Sequence, residues 1–276
     1  MTPTIGVFDS GFGGLTVLRA LLQRLPQAQF AFLGDTARLP YGSKSRRTIA
    51  RYAAQSARFL VREQGAEFLV IACNTASALA LDAIKDAVPS VPVLGVIEPG
   101  AAAAHAASKT RDVLVIATDA TVQSHAYTAA CLGQGLRAFE MACPLLVPLV
   151  EEGWTNHAVT AEVIQIYLHA LLATARTGGF TPDTLVLGCT HYPLLRPTIE
   201  QTVARIAPAP MQVIDSAEST AEAAARLLAG QAAEAVEKGP AQIRCFATDS
   251  VDKFERLGSR FLGQPVGRVE LVDLGG

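Results

Sequence analysis

The sequence predicts an α/β protein of two lobes, built on parallel sheets with helices on both faces. Three observations carry that reading. Short apolar runs alternate with longer stretches of helical periodicity, the order expected of βαβ units. The chain has 276 residues, enough for two compact domains at roughly 150 residues each. Half of it is apolar and only 17% charged, with mean hydropathy +0.29, which suits strands buried on both sides.

The elements follow in order. TIGVF (4–8), QFAFL (29–33), EFLVIA (67–72), VPVLGV (91–96), DVLVIA (112–117), TLVLG (184–188) and MQVID (211–215) read as strands. Between the second and third, Ile49, Tyr52, Ala53, Ser56, Phe59 and Leu60 recur at helical spacing, which predicts a helix over 45–63. No Pro/Ser-rich linker separates the lobes. The strongest punctuation is the Glu98-Pro99-Gly100 turn and the run Ala207-Pro208-Ala209-Pro210. Crossings at both make residues 98–207 one lobe, and residues 1–97 with 208–276 the other. A ligand cleft is then expected between them, where strand C-termini meet helix N-termini.

Composition narrows the function. Net charge is −2 and the isoelectric point near 6.2, so nothing in the bulk electrostatics recruits nucleic acid or an anionic membrane. MTPTIGVFDS lacks the basic and apolar regions of a signal peptide, and uncharged runs are interrupted before membrane-spanning length, so a cytoplasmic protein is expected. The five cysteines are an odd number with no CxxC, and the five histidines form no HxxxH or HExxH pair. Free thiols and no metal site are expected.

VFDSGFGGLTVL runs from a strand through Asp9-Ser10 and Gly11, Gly13 and Gly14 into a helix. One reading is a tight turn, with Asp9 or Ser10 capping the helix and the glycines supplying unusual backbone angles; the other is an anion cradle. A dinucleotide fingerprint would use Asp35 as the ribose acid but needs a glycine where Thr16 stands, and the Gly-Lys-Ser/Thr of a phosphate loop is missing. FLGDTARLPYGSKS (32–45) is a strand followed by a loop in which Tyr41-Gly42 is the candidate ligand contact.

Cys131, Cys143 and Cys245 read as small buried hydrophobes. Cys73 in LVIACNTASAL and Cys189 in LVLGCTHYPLL differ, because each ends an apolar strand at a strand-to-helix junction. Exposed N–H groups and the helix dipole there favour a thiolate, and polar pairs follow, Asn74-Thr75 and Thr190-His191. A phosphatase loop would need arginine at 79 or 195, where leucine stands, and a Cys–His acyl-transfer site would leave one cysteine idle. Two opposed thiols suit another reaction, removal of a proton from one face of a carbon and its return to the other. With an ordinary pKa of about 8.5, cysteine can serve as acid or base near neutrality.

DSGFGGL, FLGDTARLPYG, ACNTASA, GVIEPG and LGCTHYPLL, in this order over nearly the whole length, closely resemble the bacterial glutamate racemases of the cofactor-independent aspartate/glutamate racemase superfamily. The resemblance implies two pseudo-symmetric three-layer lobes with mostly parallel sheets and the active site in the cleft between them. It implies interconversion of L- and D-glutamate without a cofactor, for peptidoglycan synthesis. Cys73 would take the α-proton of D-glutamate, assisted by Asp9, and Cys189 that of L-glutamate, assisted by His191. Substrate contacts would come from Asp9, Ser10, Tyr41, Gly42, Asn74, Thr75, Thr190 and His191. Thr118 and Thr121 in ATDATVQSHAY match substrate-binding threonines, although Ala117 and Asp119 depart from the usual Gly-Thr pattern. Glu151 matches an acidic position near the second cysteine, with Glu152 as the competing alignment. The implied partners are glutamate itself and a second copy of the chain in a homodimer. An aspartate racemase, a nicotinamide-dependent oxidoreductase and a non-catalytic binding module are the alternatives.

Overall fold

The computed structural model describes residues 3–229 and 241–275. The chain divides into two compact units, Met1–Val96 with Ala217–Gly276, and Ile97–Ser216.

The first unit begins β1 (Thr4–Asp9), α1 (Leu15–Arg24), β2 (Gln29–Gly34), α2 (Arg46–Arg62), β3 (Phe68–Ile71), α3 (Asn74–Leu79), α4 (Leu81–Ala87) and β4 (Val93–Gly95). The second contains α5 (Ile97–Ala107), β5 (Asp112–Ala117), α6 (Asp119–Ser124), α7 (Ala126–Gly133), β6 (Arg137–Ala142), α8 (Leu146–Glu151), α9 (Ala158–Thr177), β7 (Thr184–Gly188), α10 (Arg196–Ile206) and β8 (Gln212–Asp215). The chain returns through α11 (Ser216–Ala229) to β9 (Gln242–Ala247), α12 (Val251–Leu262) and β10 (Val269–Leu271).

The first sheet has the order β10-β9-β2-β1-β3-β4 and the second β6-β5-β7-β8. Every pairing in both is parallel. The first four strands of the chain and the next four share one internal order, second-first-third-fourth. In each set the third strand leads into a cysteine at a strand-to-helix junction, Cys73 after β3 and Cys189 after β7. The recurrence of the cysteine outline therefore marks topologically equivalent strands.

Strand periodicity sorts the first unit's core into two faces. Phe8, Ala31, Leu33, Leu69, Ile71 and Phe246 pack with Ile49, Ala53, Ala57 and Leu60 of α2 and Ile84 of α4. Phe32, one residue out of phase with Leu33, meets Phe254 of α12 at 5.9 Å, and Phe12 before α1 meets Phe254 and Phe261 at 6.4 and 5.6 Å. Helices thus cover both faces, as parallel strands require. The helix expected at 45–63 is α2, capped by Ser45 Oγ accepting from the Thr48 N–H at 3.4 Å.

The first division falls between Val96 and Ile97, one residue from the expected crossing, and Glu98-Pro99-Gly100 there is the first turn of α5, where proline's missing N–H costs nothing. The second division falls after Ser216 because β8 pairs with β7 in register Thr184↔Gln212 to Leu187↔Asp215. The Pro208-Ala209-Pro210 run ends α10 without ending the unit. In the second unit α9 is long and apolar enough by composition to cross a membrane. Its buried residues Thr160, Ile164, Leu168, Leu171 and Ala175 form a helical stripe, and α9 packs on α8 and α10.

Candidate active site

In an open parallel sheet, ligands bind beyond the strand C-termini at the point where successive connections diverge. In the first unit that point lies between β1 and β3, in the second between β5 and β7. Asp9 ends β1 and Cys73 follows β3; Thr118 follows β5 and Cys189 follows β7.

In the first unit, Asp9 is 1% exposed and its Oδ2 accepts the Gly11 N–H at 2.9 Å. The glycines here do not supply unusual angles, since none of Gly11, Gly13 and Gly14 has positive φ. They supply room. A Cβ on Gly14 would stand 2.6 Å from Asp9 Cβ and 2.8 Å from Ala72 Cβ, and one on Gly34 would stand 2.2 Å from the Gly11 carbonyl. Gly14 itself occupies the N-cap of α1, without a side-chain cap from Asp9 or Ser10.

Cys73 is the N-cap of α3 and its sulfur accepts the Ala76 N–H at 3.4 Å. Its thiol donates to Ser10 Oγ at 3.4 Å. The expected thiolate is not favoured here. Burial pushes the Cys73 thiol up to about 12, the Asp9 carboxylate adds to the effect, and hydrogen bonding with Ser10 and with the Ala76 N–H offsets only part of it. Asn74 and Thr75, in the first turn of α3, are both 3% exposed.

The Tyr41 ring is buried against Phe8 and Tyr52, and its hydroxyl donates to Asp35 Oδ2. The phenol is thereby committed, so the main chain at Tyr41 and Gly42 is what that loop offers a ligand. Asp35 also receives Arg38 Nε at 2.9 Å and Thr248 Oγ1 at 3.0 Å. That carboxylate anchors the 35–43 loop to the connection after β9, which removes it from any ribose-binding role. The nicotinamide alternative loses its acid. Sequence reasoning missed this anchor; the only sign was Asp35, Arg38 and Tyr41 at spacings short enough to meet in one loop.

In the second unit, Cys189 is 6% exposed and precedes a 3₁₀ turn, Tyr192–Leu195, that leads into α10. Only glycine fits before it, since a Cβ on Gly188 would lie 2.9 Å from Tyr127 Cε2 and 3.0 Å from the Ile116 carbonyl. His191 Nδ1 lies 3.9 Å from Cys189 Sγ and 3.4 Å from Thr190 Oγ1. His191 Nε2 lies 3.4 Å from Glu151 Oε1. Burial works against a charged His191, but the contacts with Cys189 and Glu151 outweigh it and raise the imidazole to about 10. Glu151, at the end of α8, is thus the carboxylate that faces His191, while Glu152 is exposed. Thr118 and Thr121 share a hydrogen bond between their hydroxyls at 2.9 Å. The register Ala117↔Gly188 sets Thr118 beside Cys189 at the same strand ends.

Each unit therefore gathers its own expected residues: Asp9, Ser10, Asn74 and Thr75 near Cys73, and Thr118, Thr121, Glu151, Thr190 and His191 near Cys189. Among the described residues, no group of three or more His, Cys, Asp or Glu could hold a metal ion.

The family model for Asp/Glu/Hydantoin racemase matches residues 5–224. The chain belongs to that racemase family. It is 54% identical over 295 residues to a glutamate racemase of Koribacter versatilis, covering 99% of this chain and 98% of the relative. It is 47% identical to one from Syntrophus aciditrophicus, with 98% and 96% covered. Among solved structures, the glutamate racemase of Francisella tularensis in complex with D-glutamate is 33% identical, with 99% and 98% of the chains covered and a TM-score of 0.87. A glutamate racemase isoform from Bacillus anthracis is 36% identical over the same shares, with a TM-score of 0.88.

Proposed function

We propose that this protein interconverts L- and D-glutamate without a cofactor, by proton transfer between two thiols and the α-carbon. The observation that carries the proposal is the near full-length similarity to glutamate racemases, joined to a cysteine after the third strand of each four-strand set.

Racemisation asks for a base on one face of the α-carbon and an acid on the other, in opposite protonation states. For L-glutamate, Cys189 takes the proton and Cys73 returns one to the opposite face. Cys73 is suited to begin as the acid, because burial and Asp9 keep its thiol protonated. Cys189 takes the part of the base beside His191, whose Nδ1 lies 3.9 Å from its sulfur and whose Nε2 faces Glu151. D-glutamate reverses the roles, with Asp9 assisting Cys73. Ser10, Asn74, Thr75, Thr118, Thr121, Thr190 and the main chain at Tyr41 and Gly42 offer neutral donors for the two carboxylates, and Asp9 an acceptor for the ammonium.

The family resemblance supports peptidoglycan synthesis as the destination of D-glutamate, a cytoplasmic location and a homodimer. Incubation with L-glutamate and, separately, L-aspartate, under reducing conditions and without added cofactor, tests the activity. Loss of optical rotation with glutamate, at a rate well above that with aspartate, is the expected result. No loss with glutamate defeats the proposal, and faster loss with aspartate reassigns the substrate.

A further inference from the structure

Each cysteine turn contains a buried hydroxyl that the proposed proton transfer does not use. Ser77 follows Cys73 by one helical turn and is 7% exposed; Tyr192 follows Cys189 within the 3₁₀ turn and is fully buried.

Ser77 Oγ donates to the Ile71 carbonyl at 2.9 Å and accepts the Val96 N–H at 3.2 Å. Its own N–H donates to the Cys73 carbonyl at 2.9 Å. Ile71 ends β3, so Ser77 ties the helix that Cys73 caps back to the strand that delivers Cys73. The fit leaves little slack, since a Cβ on Gly95 would come within 3.2 Å of Ser77 Oγ.

Tyr192 does a corresponding job with different chemistry. Its hydroxyl lies 3.1 Å from the Ala117 carbonyl and 2.9 Å from the Cys143 carbonyl, and its N–H donates to the Cys189 carbonyl at 3.1 Å. Ala117 immediately precedes Thr118, and Cys143 stands in the connection that leads to α8 and Glu151. One phenol therefore binds the Cys189 turn to the two connections bearing its neighbours. In both units, carbonyls at or just beyond a strand's C-terminal end receive a side-chain hydroxyl, which satisfies a buried acceptor and fixes the course of the next residue.

We propose that Ser77 and Tyr192 are positioning residues, hydroxyl staples that hold Cys73 and Cys189 at the points from which each sulfur exchanges a proton with the α-carbon. The proposal rests on the two-thiol reading and adds residues that need not touch the substrate. A reacting group misplaced by about 1 Å can lose on the order of 100-fold in rate.

The test compares Tyr192→Phe, Ser77→Ala and Ser77→Thr with the unaltered protein. Steady-state racemisation is measured alongside the pH dependence of iodoacetamide labelling at each cysteine, read peptide by peptide by mass spectrometry. Tyr192→Phe should lower kcat about 10- to 100-fold with KM changed less than about threefold, and should shift the labelling profile of Cys189 but not Cys73. Ser77→Ala should do the converse, and Ser77→Thr, which restores a hydroxyl, should recover most of the rate. Variants that melt at lower temperature yet keep kcat and both labelling profiles within about twofold overturn the proposal, as does an equal shift at both cysteines. If Tyr192→Phe fails to fold, the Ser77→Ala and Ser77→Thr pair decides. An unaltered protein that does not racemise glutamate refutes the two-thiol reading instead, and the cysteine-specific labelling then judges the staples alone.

Discussion

Replacing Glu151 by glutamine keeps the shape of the side chain and removes its charge. The His191 and Glu151 side chains are 11% and 17% exposed, with Nε2 and Oε1 3.4 Å apart. At that separation and an effective dielectric constant of about 20, the attraction is about 5 kcal/mol before burial is counted against it. Net effects of a neighbouring charge in proteins run to about 1–3 in pKa. His191, held at about 10 in the parent, should therefore titrate at about 7 to 9 in Glu151→Gln. It should not fall far below the ordinary value, because Cys189 still contributes. The sign follows from the raised value. The protonated imidazole contributes stability that is fully present below about 6.5 and is lost as pH rises through about 10. In the variant this loss is complete at lower pH, and every tenfold weakening of proton binding by the folded state removes about 1.4 kcal/mol. NMR titration of the His191 ring reads the new midpoint, and the alkaline limb of kcat should move down with it. A His191 midpoint within about 0.3 pH of the parent would refute the assignment of Glu151 as its electrostatic support.

Other changes probe the rest of the site. Cys73→Ser and Cys189→Ser should each lower racemisation by about 100- to 10,000-fold, the usual worth of a general acid or base. Because enantiomers have equal free energy, kcat/KM must fall equally in both directions, and direction-dependent effects can appear only in kcat and KM separately. Without substrate, iodoacetamide should label Cys73 slowly near neutrality, with a rate still rising above pH 9, because its thiol is pushed up to about 12; an inflection below the ordinary cysteine value contradicts this. Gly14→Ala forces a Cβ to 2.6 Å from Asp9 Cβ, so it should cost about 1–3 kcal/mol in chemical denaturation and also reduce kcat by moving Asp9. Asp35→Asn removes the buried charge that faces Arg38 and turns one of the two oxygens that accept from Arg38, Thr248 and Tyr41 into a donor, and should cost about 3–5 kcal/mol, seen as an earlier urea midpoint.

Much of the fold was legible because the strands that carry the site are fully buried and read as unbroken apolar runs. TIGVF, EFLVIA, DVLVIA and TLVLG are β1, β3, β5 and β7 almost residue for residue. The strands that escaped are β6, β9 and β10. In β6, RAFEMA is broken by Arg137, which pairs with Asp112, and by Glu140, which accepts from Thr128. In β9, QIRCFA carries Arg244, paired with Glu270 of the short edge strand β10. Tertiary ion pairs and helix caps satisfy these charges, and no local pattern announces them. The site divides in the same way. Cys73 and Cys189 were readable from strand ends, whereas Glu151 over Glu152 depends on which side of α8 faces His191. The protonated state of Cys73 depends on burial and on Asp9, neither visible in ACNTASA. Tyr192 and Ser77 were hidden because their partners are main-chain carbonyls, to which any sequence contributes.

In the two-thiol scheme, the sulfur that removes the α-proton is not the sulfur that replaces it. The most direct measurement starts from a single enantiomer of glutamate in heavy water and determines deuterium at Cα in each enantiomer at low conversion. The two-thiol account predicts deuterium in the newly formed enantiomer and almost none in the remaining substrate, from either starting hand. Product that keeps the substrate's own protium, or substrate that gains deuterium as fast as product, would contradict it.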